Sequence, residues 1–381
     1  MNICVVNFPV SKIGSKAAAI PLSNLLNILS NMSDNLYIIA GEYNTDLLRS
    51  KMQTEIHIVE IHHAIGSTQH ERIINYISTQ VSISRGILKL RSEIDIFIFF
   101  MMGQDLLIPM LAAKISNKRV ILALALSSLL SSRAQRDPLM APLKIVSRIN
   151  YSLSNCIVLY SHNLIEEWNL TGHKAKILIA CEHFLDFQLF NVTNNFNERD
   201  NVVGYVGRLS EEKGPLNFVR SIPKISKRMH NAEFLIGGDG QSRDKIDNYL
   251  TAKNLNYKVK LAGWISHDKL SEYLNQLKLL VLPSYTEGLP NIMLEAMACG
   301  TPVLATPVGA IPDIIKDGET GFLMENNSPE CIAANVIRAL EHPDIEGVAK
   351  RARALVECEF TFEKAVVRWK KILEEISDDE R

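Results

Sequence analysis

The chain has no surplus of charge of either sign: 41 lysines and arginines stand against 42 acidic residues, for a net charge of −1 over 381 residues. Without a basic excess there is no electrostatic footprint for nucleic acid. Cysteine is sparse. Cys4, Cys156, Cys181, Cys299, Cys331 and Cys358 are scattered, with no CxxC pair and no His/Cys cluster. That pattern argues for a reducing compartment and against a structural zinc. Long hydrophobic runs are missing too. The most apolar zone, 94–130, is interrupted by Asp95, Asp105, Lys114, Lys118 and Arg119. No window reaches the roughly 18 uninterrupted apolar residues of a spanning helix. The opening Met1-Asn2-Ile3-Cys4-Val5-Val6-Asn7-Phe8 reads as a strand and lacks the basic n-region of a signal peptide. The expected protein is soluble or peripheral and cytoplasmic, either free or at the inner face of the membrane.

What is present is a chain of 47% apolar residues, long enough for about two or three domains. Apolar runs at 2–8, 36–40, 55–60, 94–101, 119–126 and 156–160 read as strands. Helical patterns at 17–29, 71–91 and 106–115 alternate with them. Such alternation indicates a parallel sheet with helices on its faces. Gly14 lies in the first strand–helix turn, as an ordinary turn residue or as a point of close backbone approach to a ligand. His57, His62 and His63 have no carboxylate or cysteine to complete a metal set and read as surface histidines. The span 131–151 sets Arg133, Arg136, Lys144 and Arg148 among aliphatic residues. It reads as an ordinary core-facing helix or as a basic amphipathic one that contacts an anionic membrane. The polar, Asn-rich span 187–200 reads as a linker, and a second strand–helix series begins at Asn201.

The most informative stretch is 279–306. Leu279-Leu280-Val281-Leu282 is a strand covered on both faces, and Pro283 to Gly288 form a loop. Pro290 suits a first helical turn, and Gly300 a left-handed cap. Glu287 lies in the loop, and Glu295 lies eight residues on, in the helix. Two ionised carboxylates near one ligand suit a polyol, since each accepts from vicinal hydroxyls; the other reading is two solvated glutamates.

Glu287-Gly-Leu-Pro-Asn-Ile-Met-Leu-Glu295-Ala-Met-Ala-Cys-Gly-Thr-Pro-Val303 resembles the E-x7-E signature of the retaining family 4 glycosyltransferases, which have the GT-B fold. Gly309, Pro312-Asp313-Ile314-Ile315 and Gly318-Glu319-Thr320-Gly321-Phe322-Leu323 continue that pattern. Upstream, Gly207-Arg208-Leu209…Lys213-Gly214 is similar to the family's "GRL…KG" motif, and Gly237-Gly238-Asp239-Gly240 to its next strand end. Four motifs in family order span 202–323; the first half of the chain matches much more weakly.

The resemblance implies an α/β fold of the GT-B class, with two Rossmann-like domains whose parallel sheets face across a cleft. Residues 1–190 would form the acceptor-side domain and 201–360 the donor domain, with the final helix within 361–381 packing back on the first. The implied reaction moves a hexose from a nucleotide diphosphate sugar to an acceptor hydroxyl, with retention. The acceptor would be a glycan or a lipid-linked saccharide, and membrane contact would run through 131–151. No metal and no cofactor are called for: Arg208 and Lys213 would neutralise the leaving diphosphate in place of a divalent ion. Glu287 would contact the sugar hydroxyls and Glu295 the ribose hydroxyls. Gly14, Gly207, Gly238, Gly288, Leu289, Pro290 and Asn291 would line the sugar and phosphates. Trp264 and Ile265 would lie by the base, Trp264 either stacked on it or packed in the core. One departure stands out. Many family members carry a histidine after the strand corresponding to 119–126; this chain has Ser127 and Ser128 there, with Gln104 as another polar candidate. A non-catalytic nucleotide-sugar or glycan-binding subunit is therefore an alternative, as is a nucleotide-sugar epimerase or glycan phosphorylase of the same fold.

Overall fold

The computed structural model describes residues 1–8, 16–41, 55–64, 66–125 and 140–378. The chain divides into two compact units, 1–184 with 362–381, and 185–361.

In the first unit, β1 (Asn2–Asn7), α1 (Lys16–Leu29), β2 (Asn35–Gly41), β3 (His57–Ile61), α2 (Gln69–Leu90) and β4 (Ile96–Phe100) follow in order. Then come α3 (Leu107–Ile115), β5 (Arg119–Ala123), α4 (Met140–Leu153), β6 (Cys156–Leu159), α5 (Asn163–Glu167) and β7 (Ile177–Ile179). The seven strands pair in parallel in the order β3-β2-β1-β4-β5-β6-β7. The central strands are buried on both faces, which is why they read as unbroken apolar runs rather than alternating ones. One face packs α2, α3 and α4 through Ile83, Ile87, Met110, Ala113 and Tyr151. The other face packs α1 through Leu22, Leu25 and Leu29. A capping box starts α2: Thr68 Oγ1 accepts from Glu71 N at 3.2 Å, and the Glu71 carboxylate accepts from Thr68 N at 3.3 Å.

The second unit contains β8 (Val202–Val206), α6 (Pro215–Arg228), β9 (Glu233–Gly237), α7 (Arg243–Ala252), β10 (Val259–Gly263) and α8 (His267–Leu274). It continues with β11 (Leu279–Leu282), α9 (Asn291–Ala298), β12 (Val303–Ala305), α10 (Ile311–Ile314), β13 (Phe322–Leu323), α11 (Pro329–Leu340) and α12 (Ile345–Glu359). Its parallel sheet runs β10-β9-β8-β11-β12-β13, the same winding as the first. The final helix α13 (Phe362–Asp378) returns to the first unit. There Ala365, Trp369, Ile372, Leu373 and Ile376 join the cluster built on Ile3 and Leu25, and Trp369 is 1% exposed.

Three expectations change. Residues 187–200 are not a free tether, because Arg199 anchors them in the second unit. Its buried guanidinium donates to Asn194 O at 3.2 Å, Leu277 O at 3.0 Å, Thr301 Oγ1 at 2.7 Å and Cys299 O at 2.7 Å. Burial lowers its pKa to about 10, and the acceptor at Cys299 sits at the negative end of α9. Pro290 precedes α9 as its N-cap in extended geometry, instead of lying within the first turn. His63 is half-buried rather than a solvated surface residue: its Nδ1 is 2.7 Å from Thr79 Oγ1, and burial lowers its pKa. Of the span 131–151, the structure describes the helix from Met140 onward; 131–139 lie outside the described residues.

Candidate active site

Strand order in the second sheet reverses beside β8, whose neighbours are β9 and β11. Ligands of doubly wound sheets bind outside the carboxyl ends of the strands at such a switch point. The loops that meet there are 207–214 after β8 and 283–290 after β11. Main-chain hydrogen bonds tie them to their neighbours. Gly207 N donates to Gly237 O at 3.0 Å, Leu209 N to Asp239 O at 2.9 Å, Tyr285 N to Glu212 O at 2.8 Å and Ala310 N to Gly288 O at 2.8 Å. Two glycines permit this closeness. A Cβ on Gly214 (φ +68°) would sit 2.2 Å from Pro283 O, and one on Gly309 (φ +61°) 2.3 Å from Glu287 O. Both positions combine a left-handed backbone with no room for a side chain.

Glu287 is the centre of the polar network. It is only 8% exposed. Its Oε2 accepts from Lys213 Nζ at 2.7 Å, and its Oε1 accepts from Ser284 Oγ at 2.7 Å. Thr306 Oγ1 in turn donates to Ser284 O at 2.6 Å, fixing the start of the loop. Tyr205, at the end of β8, donates from its hydroxyl to Arg208 O at 2.7 Å. Burial first, then the Glu287 charge, pushes the Tyr205 pKa up, so the phenol stays a neutral donor. The Arg208 side chain is 69% exposed and reaches Glu212 Oε1 at only 3.5 Å, while Ser210 Oγ holds that same oxygen at 2.6 Å. Lys213 and Glu287 thus form a close ion pair, and Arg208 lies on the same loop as Lys213 with its backbone carbonyl held by Tyr205 and its head group solvated.

Glu295 occupies a separate sub-site. It lies in the second turn of α9, 8% exposed, with His267 Nε2 3.8 Å from its Oε1. Burial pushes its pKa up to about 8. The first N–H groups of α9 have no helical acceptor, so Asn291 opens an end that favours anions. Gly207 and Gly238 pack backbone to backbone: a Cβ on Gly238 would lie 1.9 Å from Gly207 O. Ile265 covers Gly237, and Trp264 is 67% exposed, so it is no core aromatic. Gly288, Leu289 and Pro290 are buried in the loop between the two glutamates. Gly14, Ser127 and Ser128 lie outside the described residues. Gln104 is buried, and its main-chain carbonyl accepts from Asn150 Nδ2 at 2.9 Å.

Ser284, Thr306, Glu212 and His267 were not singled out from the sequence as site residues. Ser284 was within reach of sequence reasoning, since it opens the loop after β11 three residues before Glu287. His267 was visible only as a residue at a helix start; its contact with Glu295 comes from the packing of α8 on α9.

Residues 186–356 match the family model described as Glycosyl transferases group 1. An uncharacterized glycosyltransferase of Methanocaldococcus jannaschii is 30% identical over 184 residues, 48% of this chain and 51% of the relative. A Campylobacter jejuni alpha-1,4-N-acetyl-D-galactosaminyltransferase, whose name contains GalNAc-alpha-(1->4)-GalNAc-alpha-(1->3)-diNAcBac-PP-undecaprenol, is 23% identical over 325 residues, 84% of each chain. Against the first of these the chain spans about half of the relative's length. Among solved structures, Anabaena HepE in complex with UDP superposes with a TM-score of 0.77 at 16% identity, covering 98% of this chain and 100% of that one. The chain therefore has the GT-B fold read from its motifs, with a parallel α/β sheet in each unit.

Proposed function

We propose that the protein is a glycosyltransferase that moves a hexose from a nucleotide diphosphate sugar to an acceptor hydroxyl with retention of configuration. The observation that carries this reading is the Lys213–Glu287 pair, at 2.7 Å, beside Arg208 at the sheet's switch point and inside the matched family region. The pair gives a binding sequence. Without donor, Lys213 is parked on Glu287. An incoming diphosphate draws Lys213 and Arg208, and Glu287 is released to accept the sugar's hydroxyls. As the bond from C1 to the phosphate oxygen breaks, negative charge grows on the diphosphate, so the two cations stabilise the transition state more than the ground state. The acceptor oxygen bonds to C1 on the face the phosphate leaves, and its proton passes to the departing phosphate oxygen. Amides of Gly288, Leu289 and Asn291 hold sugar or phosphate, Glu295 accepts from the ribose, and Trp264 and Ile265 flank the base, with Gly207 and Gly238 allowing close approach. No metal takes part in this scheme.

The acceptor is a saccharide, free or lipid-linked, reached at the membrane face. Support comes from α3 and α4, which pack side by side and leave Ile108, Leu111, Ile115, Ile145 and Ile149 exposed. Between Asp105 and Glu166 the sequence carries Lys114, Lys118, Arg119, Arg133, Arg136, Lys144 and Arg148 against Asp137 as the one acid. Among the described residues no helix is long and apolar enough to cross a membrane.

The test is thermal stabilisation by a panel of nucleotides and nucleotide sugars in chelator, with UDP-sugars first. A donor at about a hundredfold its Kd adds roughly 2.7 kcal/mol. Stabilisation by one donor, lost in Arg208→Ala, together with slow donor hydrolysis, supports the enzyme. No stabilisation by any nucleotide sinks it. A glycosyl adduct trapped on a carboxylate would replace the front-face route.

A further inference from the structure

We propose that His267 is a positioning residue: it serves as the proton-holding partner of Glu295, so that this carboxylate meets the donor's ribose hydroxyls in its ionised form. The inference rests on the reading of Glu295 as the ribose contact.

The geometry is that of a built pair. Ser266, in extended conformation, occupies the N-cap position of α8, and His267 is the helix's first residue. Its Nε2 stands 3.8 Å from Glu295 Oε1, with the imidazole 43% and the carboxylate side chain 10% exposed. The ring is tilted against Phe190, with 5.2 Å between centroids, so the segment anchored by Arg199 braces it from behind. A rotation that shortens the gap by about 1 Å brings the pair within hydrogen-bond distance. The charged and titratable groups around them come from α8, the end of α9, α12 and the segment before β8. Asp268 follows His267 on α8; its pKa is lowered first by the Ser266 hydroxyl and to a lesser degree by His267. Cys299 lies one turn beyond Glu295, its thiol pushed up to about 12 by burial, with Arg199 acting in the other direction. Arg353, on α12, also acts on Cys299.

A hydroxyl that donates needs an acceptor, and a protonated carboxyl has given up part of its acceptor capacity. Alone in its buried place, Glu295 would hold its proton to about pH 8. An ordinary imidazole titrates near 6.5, about 1.5 units lower. Attraction between opposite charges about 4 Å apart is worth about three units before screening; solvent at the 43%-exposed imidazole cuts into this and leaves an attraction of the order of the gap itself. One proton therefore serves two groups that titrate as a pair. It leaves the Glu295 carboxyl for His267 Nε2, the carboxylate is ionised, and the imidazolium keeps the sub-site neutral overall.

The experiment measures the affinity of the full-length protein for UDP, or whichever nucleoside diphosphate stabilises it best, by calorimetry from pH 6 to 9. Wild type should vary little between about pH 6.5 and 8.5. In His267→Ala the affinity should match wild type above pH 8.5 and fall about tenfold per unit below pH 8, reaching roughly thirtyfold at pH 6.5. His267→Gln should not restore it, and a 2′,3′-dideoxy nucleotide should show no such slope. A pH-independent loss in His267→Ala, or no loss at all, overturns the proposal. Glu295→Gln separates the two readings. If it leaves both affinity and the preference for ribose unchanged, the ribose contact itself is wrong. If it weakens ribose binding while His267→Ala follows the wild-type pH profile, only the role of His267 falls.

Discussion

Replacing Lys213 with methionine tests whether the ion pair at the switch point carries weight in the free protein. Methionine keeps most of the side chain's length and removes its charge. Glu287 would then keep Ser284 Oγ at 2.7 Å and lose its cation, in a place where it is 8% exposed. Stripping one partner from a fully buried pair costs about 3–5 kcal/mol, because the remaining charge stays desolvated. The Lys213 side chain is 22% exposed, so water reaches the gap, and a loss of about 2 kcal/mol is the expected value. For a unit of this size that is a fall in Tm of about 4–8 °C. The decisive variant is the double one. Lys213→Met with Glu287→Gln removes the stranded charge and should recover most of the loss, a coupling that a double-mutant cycle reads directly. Donor binding should be lost in both, since the diphosphate has lost a cation in each. If the single and double variants unfold at the same temperature, Glu287 is not held by Lys213, and the parked-lysine sequence for donor entry fails with it.

Other outcomes follow from features away from this pair. Trp369→Ala should destabilise the first unit by about 3–5 kcal/mol, seen in chemical denaturation, because the indole is 1% exposed in the core under α13. Glu182 is buried, accepts from Tyr160 OH at 2.6 Å, and has its pKa raised from 4.5 to about 7 by burial. The folded form therefore holds a proton that the unfolded chain has released, so stability should decline as pH rises from about 4.5 to 7 and level off above. The decline is about 3 kcal/mol, and Glu182→Gln should remove it; a parallel wild-type and mutant profile would refute the assignment. Vesicles containing anionic lipid should sediment the wild-type protein, and Lys144→Glu with Arg148→Glu should weaken that binding by about tenfold or more, at about 1 kcal/mol per cation. Failure of the wild type to bind such vesicles removes the membrane from the functional reading.

What was legible in the sequence was what depends on local pattern. Strands covered on both faces announce themselves as apolar runs, and helices between them leave a parallel sheet as the economical arrangement, so the α/β architecture was legible while the strand order was not. Arg208, Lys213 and Glu287 stood out as candidates through the motifs that carry them, and the structure brings Lys213 and Glu287 to 2.7 Å of each other. What stayed hidden depends on partners far away in sequence. Arg199 looked like one cation in an Asn-rich linker, yet its acceptors at Leu277, Cys299 and Thr301 lie 78, 100 and 102 residues on. No composition argument reveals that this residue turns a tether into a brace. The same segment carries Phe190 against the ring of His267, which also lies beside Glu295. Periodicity explains why His267 begins a helix and says nothing of the carboxylate beside it. The surroundings of Glu295 thus include two packing contacts, His267 beside it and Phe190 against that ring, and the motif that singles out the glutamate contains neither.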